Sequence, residues 1–395
     1  MAAAVALARR GVEVTVFEAG SVPGGRARRV LSQGETLDNG QHILIGAYRT
    51  LFEMMREVGV PADALLRLPL ELVYAKGFAF RALWLPGWLG LLGGLLLARG
   101  IPLAERVGAV RFLRALATRR FRVSAELTVR ALLEAHGQDG AVGRYLWGPL
   151  CVSALNTPVE LASAQVFALV LREALAGAPA SDLLLPRVDL SRLFPEPAAQ
   201  YVKRRGGEVL LRSPVSRLEA LGGFDAKIVA VGPHQLKNLI EDFPDSFAYQ
   251  PIYTCYLQYA ERVRLPFPML GMADGPVQWV FDRGALLGEK GRLACVISAQ
   301  GNHQQMSQDE LSAACHRALA AVLRGLPDPQ WMRVIAEKRA TIACVPGIRR
   351  PHIELSPGTY LAGDYMDPEY PPTLEAAVRS GLRAAERVLA GARGS

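Results

Sequence analysis

The sequence predicts an α/β protein. Its core is a doubly wound nucleotide-binding domain, without the first strand and glycine-rich turn of the usual unit, into which a mixed α+β domain is inserted. Three stretches carry this expectation. In the first, Val12, Val14 and Val16 alternate with Glu13, Thr15 and Phe17, the period of a short strand, and the strand ends on Glu18. Before it, the alanine-rich run Ala2–Arg10 has high helix propensity and is followed by Gly11. Helix, glycine, strand and terminal acid make the second half of a dinucleotide-binding βαβ unit, where the acid accepts from a ribose hydroxyl. The second stretch is Gly24-Gly25-Arg26. Glycines let backbone approach a bulky ligand closely, and an arginine matches phosphate geometry. The third is Tyr360–Ala385, where a short apolar strand runs into Gly363-Asp364, a proline-rich loop and a helix from Thr373.

The third glycine of a G-x-G-x-x-G turn lies roughly 20 residues before the terminal acid. Counting back from Glu18 puts it just ahead of Met1. The expectation is that the DNA upstream encodes, in frame, an apolar strand and that turn. The chain as given should hold its nucleotide weakly, because the turn and helix N-terminus that grip a pyrophosphate are incomplete.

Composition narrows the partners. With 395 residues and 50% hydrophobic side chains, the chain can bury a large core and fill two domains. Cys151, Cys255, Cys295, Cys315 and Cys344 are scattered, odd in number and form no C-x-x-C, as expected of buried free thiols in a reducing compartment. The six histidines show no metal-ligand spacing, so no metal is expected. The start, MAAAVALARRG, lacks the basic n-region and the apolar length of a signal peptide. The net charge of +8 permits nucleic acid or an anionic membrane as a partner. No nucleic-acid motif is present, which favours the membrane.

Along the chain, Thr50–Val58 reads as a helix closed by Gly59 and Pro61. Ala82–Ala98 carries no charge, but it is shorter than the ~20 residues of a membrane span and contains Pro86 and several glycines. It is either a buried segment of the inserted domain, or a stretch that dips into one leaflet or lines a lipid tunnel. Arg99, Arg106, Arg111, Arg114, Arg119, Arg120 and Arg122 follow it, against the single acid Glu105. An apolar run beside a polybasic helix is the chemistry of interfacial attachment, which points to Trp84–Arg122 as a peripheral membrane contact. Val129–Ala135 reads as a helix, and Thr157 in Asn156-Thr157-Pro158 as a cap for the helix after it. The leucine-rich Ala180–Pro195 suits either a hydrocarbon pocket or an ordinary core. Gly206–Glu219, Lys227–Val231, Pro251–Tyr259 and Arg292–Gln300 have strand character, and Lys338–Val345 is read as chain returning toward the nucleotide domain. Ser307–Leu323 reads as a helix opened by a Ser307/Glu310 capping box.

These stretches resemble the FAD-dependent amine oxidase and phytoene desaturase superfamily, whose FEA…GGR segment follows the nucleotide strand. Within it, LDNGQHILIGAY (Leu37–Tyr48) and YLWGPLCVSALNTP (Tyr145–Pro158) are similar to the squalene-associated desaturases, the hydroxysqualene dehydroxylases of hopanoid biosynthesis. The resemblance runs from the first residue to about Ala385. It implies FAD as cofactor, with Glu18, Gly24, Gly25 and Arg26 at the nucleotide and Gly40, Gln41 and His42 beside the isoalloxazine ring. It puts the backbone of Val215 at the adenine and Gly363 and Asp364 at the ribityl and pyrophosphate portion. Leu374 is then the residue whose N–H faces the flavin pyrimidine carbonyl, where a helix dipole favours the reduced form. The segment GDYMDPEYPPTLE departs from close relatives, which have a tryptophan and threonine after GD, and this leaves the roles of Tyr365 and Met366 open.

The resemblance assigns residues 1–50, 200–245 and 345–395 to the FAD-binding domain, and 51–199 and 246–344 to a substrate domain facing the membrane. The implied activity is reductive removal of hydroxyl from hydroxysqualene, a long-chain isoprenoid, by a cytoplasmic protein on the inner face of the membrane. His42 is the candidate acid for the departing hydroxyl, with Tyr365 behind it. A carotenoid or phytoene desaturase is the nearest rival, running hydride from substrate to oxidised flavin. An amine oxidase fits less well, because it needs an aromatic cage rather than a long apolar tunnel. A non-catalytic lipid-binding remnant that no longer holds FAD is the remaining alternative.

Overall fold

A computed structural model describes residues 1–83, 85, 88–177, 179–240, 243 and 247–391. The chain opens with α1 (Ala2–Arg9), β1 (Thr15–Phe17), the hairpin β2 (Arg29–Ser32) and β3 (Glu35–Asp38), then β4 (Leu44–Ile45) and α2 (Arg49–Glu57). β5 (Leu65–Leu68), β6 (Glu71–Val73) and β7 (Ala79–Arg81) lead into α3 (Leu89–Leu96) and α4 (Leu103–Thr118). Next come α5 (Val129–Ala135), a π-helical turn at Gly143–Trp147 running into α6 (Gly148–Leu155), α7 (Ala164–Ala174) and β8 (Leu183–Pro186). The short α8 (Leu190–Leu193) and α9 (Pro195–Arg204) precede β9 (Glu208–Leu210), β10 (Lys227–Val229) and α10 (Pro233–Leu236). β11 (Tyr249–Gln258), β12 (Met269–Gly271), β13 (Trp279–Asp282), α11 (Arg283–Leu287), β14 (Arg292–Ser298), α12 (Gln308–Ala320) and β15 (Trp331–Ile342) form the second half. β16 (Glu354–Ser356), β17 (Thr359–Leu361) and α13 (Leu374–Gly391) close the chain.

The nucleotide domain rests on small residues. α1 buries Ala2, Ala4, Val5, Ala6, Leu7 and Ala8, so neighbouring helices can approach closely. A Cβ at Gly381 of α13 would lie 3.2 Å from the Ala3 nitrogen and 3.3 Å from the Ala2 Cβ, tighter than most contacts, so glycine sets that spacing. β1 pairs in parallel with β9, Thr15 opposite Glu208. β10 pairs in parallel with β17, and β16 adds an antiparallel edge. Among the described residues these are two separate ladders, and β1 and β10 each have a single strand neighbour.

The inserted domain is built on an antiparallel sheet in the order β12-β13-β14-β11-β15. Alternation along β11 splits its side chains between two cores. Tyr256 faces the helical cluster of α3 to α7, while Tyr253, Cys255 and Leu257 face α12. All five cysteines are free and buried.

Several expectations shift. α2 places Leu51, Met54 and Met55 in the same core as α1, and so do Leu190 and Leu193 of α8 and Val202 of α9. Both the 50/51 and 199/200 boundaries therefore fall inside helices that pack with the nucleotide domain. The 245/246 boundary lies outside the described residues. Lys338–Val345 does not leave for the nucleotide domain at its start, because β15 pairs along β11 as far as Ile342 opposite Tyr249. The strand expected over 206–219 is only β9, and Val215 lies in irregular chain beyond it. Ser307 and Glu310 do form the capping box, with both bonds present.

Candidate active site

Three segments converge on Arg26. Its Nη2 meets Asp364 Oδ1 at 2.6 Å, and its Nη1 donates to the Ala340 carbonyl near the end of β15. The loop carrying Arg26 is shaped by Gly24, whose φ of 123° belongs to glycine and whose added Cβ would lie 2.8 Å from Pro195. Asn39 fixes the loop from below, donating to the Arg26 carbonyl at 3.0 Å and to Glu337 at 3.1 Å. The arginine expected to face phosphate and the aspartate expected at the ribityl and pyrophosphate portion thus hold each other.

Gly40 brings His42 and Thr254 of β11 together. A Cβ on Gly40 would sit 3.9 Å from Thr254 Oγ1 and 4.0 Å from His42 Cε1, and its φ of 100° again favours glycine. His42 Nδ1, Thr254 Oγ1 and the Tyr365 hydroxyl are buried without a hydrogen-bond partner. Buried polar atoms are normally paired, so the orphans on His42 and Tyr365, which both feel the Arg26 charge, and on Thr254 beside Gly40 mark a place where a polar ligand belongs. Burial pushes His42 down to about 4; the Gly40 backbone opposes this and the Arg26 charge adds to it. Burial likewise raises Tyr365 above its usual value, with Asp364 adding and Arg26 opposing. Both side chains are neutral at neutral pH and both feel Arg26.

Gln41 turns the other way. Its Oε1 accepts from Arg283 Nη1 at 3.2 Å, and the same nitrogen lies 2.9 Å from Asp38 Oδ2. Arg283 is 1% exposed and also forks onto Glu289 at 2.7 and 2.8 Å. Asp38 in turn receives the Leu190 N–H at 2.8 Å, and the Asp38 carbonyl receives the Tyr256 hydroxyl at 2.9 Å. This network clamps the segment before His42 to the inserted domain. Nothing in the local pattern around Arg283 marks it, since Asp38 and Gln41 lie 245 and 242 positions away.

Leu374 is the first residue of α13, one position after the Thr373 start expected from the sequence. Thr373 caps the helix through Ala376, and the Tyr48 hydroxyl bonds Thr373. Glu375 is buried and accepts from the N–H groups of Thr50 and Leu51, capping α2. Glu18 closes a tight turn onto the Gly20 N–H at 2.6 Å. It also lies close enough to the buried Met1 amine to favour its charged form, although burial lowers that amine overall. The acid therefore sits at the N-terminal end of α1. Val215 is half-buried, and no hydrogen bond or ion pair among the described residues ties it to the other site residues.

An apolar pocket begins one residue past His42. Ile43, Ile45, Leu70, Leu150 and Met269 line it, with Tyr48 and Tyr370 beside the α13 N-terminus. Trp279 also lines it, and its indole N–H is satisfied by Ser153 Oγ at 2.9 Å. From the leucine-rich 180–195 stretch, Ser181 and Leu183 reach the pocket. None of the described residues of 82–98 does. Asn156-Thr157 ties the helical layer to the sheet. Asn156 donates to Thr341 Oγ1 at 3.0 Å and accepts from Ala299 N at 2.8 Å, and Thr157 Oγ1 accepts from Cys344 N at 2.9 Å. Thr157 is therefore no cap. Ser163 caps α7.

The model of the flavin-containing amine oxidoreductases matches residues 1–389. The chain belongs to that family. It is a flavin-dependent oxidoreductase with the family's α/β fold. It is 28% identical over 432 residues to a hydroxysqualene dehydroxylase of Rhodopseudomonas palustris, covering 100% of this chain and 96% of that one. It is 26% identical over 423 residues to the Zymomonas mobilis protein of the same name, covering 98% and 96%. Among solved structures, an oxidoreductase of Methanosarcina mazei superposes with a TM-score of 0.73 at 15% identity over 98% of this chain and 97% of that one. A putrescine oxidase variant gives 0.73 at 16% identity over 98% and 96%. In this family the orphaned atoms of His42, Thr254 and Tyr365 fit a flavin, whose polar ring edge needs several hydrogen-bond partners.

Proposed function

We propose that this enzyme uses FAD to remove the hydroxyl group of hydroxysqualene, giving squalene, as a step of hopanoid biosynthesis. The observation that carries the reading is the apolar pocket that starts at Ile43, next to the orphaned polar atoms of the site. The names of the relatives support the choice of substrate. Glu18, Gly24, Gly25 and Arg26 would hold the nucleotide, with Gly363 and Asp364 at its centre and the α13 N-terminus at Leu374 facing the ring. When bound in reduced form, the cofactor supplies a hydride.

The chain's own residues do the rest. The aliphatic wall binds hydrocarbon and excludes water from the reacting carbon. As the allylic C–O bond breaks, positive charge spreads over the adjacent double bond, a C–H bond forms, and the departing oxygen takes one proton from solvent at the pocket mouth and leaves as water. His42 Nδ1 and the Tyr365 hydroxyl are the unpartnered groups available to hydrogen-bond that oxygen. Because His42 is neutral at neutral pH, it orients the oxygen rather than delivering a stored proton. The cavity volume of the pocket is about 160 Å³. That is below the ~300–1,000 Å³ of most small-molecule sites, so it takes a stretch of a long chain and leaves the rest at the mouth.

The test is anaerobic incubation of the flavin-loaded protein with hydroxysqualene, followed by extraction and mass spectrometry. Squalene should form with reduced flavin and not with oxidised flavin. Consumption of phytoene by oxidised flavin, with hydroxysqualene inert, would instead make the protein a desaturase.

A further inference from the structure

Six of the twelve large hydrophobic side chains exposed among the described residues fall within one short stretch: Leu85, Trp88, Leu89, Leu96, Leu97 and Leu103. They are not loosely attached. α3 turns Gly90, Leu91, Gly94 and Leu95 inward. A Cβ at Gly94 would sit 2.2 Å from the Arg81 carbonyl oxygen, and one at Gly90 would sit 2.3 Å from that of Leu83. Glycines on one face thus let the helix lie flat against the 81–83 segment, while leucines on the other face meet solvent. Arg106 ties the next helix on, donating to the Ile101 carbonyl at 2.7 Å and to that of Leu96 at 3.0 Å.

The charge beside this face is one-sided. Arg99, Arg111, Arg114, Arg119, Arg120 and Arg122 are exposed. Among the described residues none of them is in an ion pair, whereas other surface regions match arginine with carboxylate, as at Arg130 with Glu160 or Arg29 with Glu196. The one local acid, Glu105, is occupied by the Val142 N–H at 2.8 Å. A leucine and tryptophan face flanked by unpaired arginines complements an anionic bilayer, where acyl chains take the leucines and lipid phosphates take the guanidinium groups. No helix among the described residues is long and apolar enough to cross a membrane.

We propose that α3 and α4 dock the protein on an anionic membrane surface, and that hydrocarbon passes from the leaflet to the pocket along this side. The second half rests on the hydrocarbon reading above. Leu70 lines the pocket, and Ala82, ahead of α3, donates its N–H to the Leu70 carbonyl at 2.9 Å. Trp84, Pro86 and Gly87 lie outside the described residues.

Flotation of the flavin-loaded protein with phosphatidylglycerol-containing and with pure phosphatidylcholine vesicles tests the docking. The protein should float with the anionic vesicles. Leu89→Glu/Leu97→Glu and, separately, Arg111→Glu/Arg114→Glu should each lower the floated fraction about tenfold, since the residues are exposed and their loss leaves the fold intact. Turnover of hydroxysqualene in detergent micelles should be unchanged in both variants, while turnover of the vesicle-borne substrate falls. Failure to float with anionic vesicles, or equal flotation by the variants, overturns the proposal, and detergent turnover would then still stand. A dimer that the leucine variants abolish, without vesicle binding, overturns it in favour of a second copy of the chain. Flotation with no turnover in any medium would leave docking standing and remove the substrate assignment and with it the route.

Discussion

His42 sits where it cannot hold a charge at neutral pH. Burial lowers it to about 4 from its ordinary 6.5. Below pH 6.5 the unfolded chain binds a proton that the native chain refuses, so stability falls as pH drops from about 6.5 toward about 4 and flattens below. His42→Gln should remove that component, about 3 kcal/mol across the window. Urea unfolding of both proteins from neutral pH to pH 4 would show it; parallel curves would mean that His42 is not buried as described. Arg283 makes the opposite case. Its ion pair with Asp38 is almost fully buried, at 1% and 4% exposure. Arg283→Met should cost about 3–5 kcal/mol by stranding the carboxylate, and Asp38→Asn in the same chain should recover part of the loss. If the double variant is less stable than the single one, the clamp on Gln41 does not work through charge.

At the scale of elements, structure is legible in the sequence where it is local. The alanine-rich α1, α5 at Val129–Ala135 and the Ser307/Glu310 box each follow from residues within one or two turns. Long-range pairing is not legible. β15 runs to Ile342 because β11, far earlier in the chain, supplies its partners, and no local signal states that register. Periodicity reads Val215 as strand, but the ladder that would extend β9 stops at Leu210. Thr157 looks like a cap because Thr-Pro often opens a helix, yet its hydroxyl is used across the domain, by the Cys344 N–H. The helix that follows is capped instead by Ser163, whose hydroxyl accepts from Val166 N. Asn156 and Ser163 should therefore respond differently to alanine. Ser163→Ala should cost about 1 kcal/mol, the usual loss of a helix cap. Asn156→Ala should cost more, about 2–3 kcal/mol, because it strands the buried Ala299 N–H and leaves alanine at a φ of 46°. Denaturant midpoints of the two variants would rank them, and a larger loss at Ser163 would contradict the role given to Asn156.

Across the whole molecule, the fold class and the family segments are readable because they are contiguous: the strand ending on Glu18, Gly24-Gly25-Arg26, the Asn39–His42 segment and Gly363-Asp364. What joins them is not. Arg26 meets Asp364 across 338 positions, and Arg283 meets Asp38 across 245. The pocket draws Ile43, Leu150, Met269 and Tyr370 from separate parts of the chain. Composition states the apolar character of these segments without their meeting point, so a hydrocarbon pocket and an ordinary core become distinguishable only once the chain is folded.

The proposed function turns on one step, delivery of an allylic alcohol by this pocket to a reduced flavin. Anaerobic titration of the reduced, flavin-loaded protein with hydroxysqualene tests it most directly, read by the return of the oxidised-flavin absorption band. The band should return in proportion to the alcohol added, with one squalene formed for each flavin oxidised. A flavin that stays reduced in the presence of excess hydroxysqualene would contradict it.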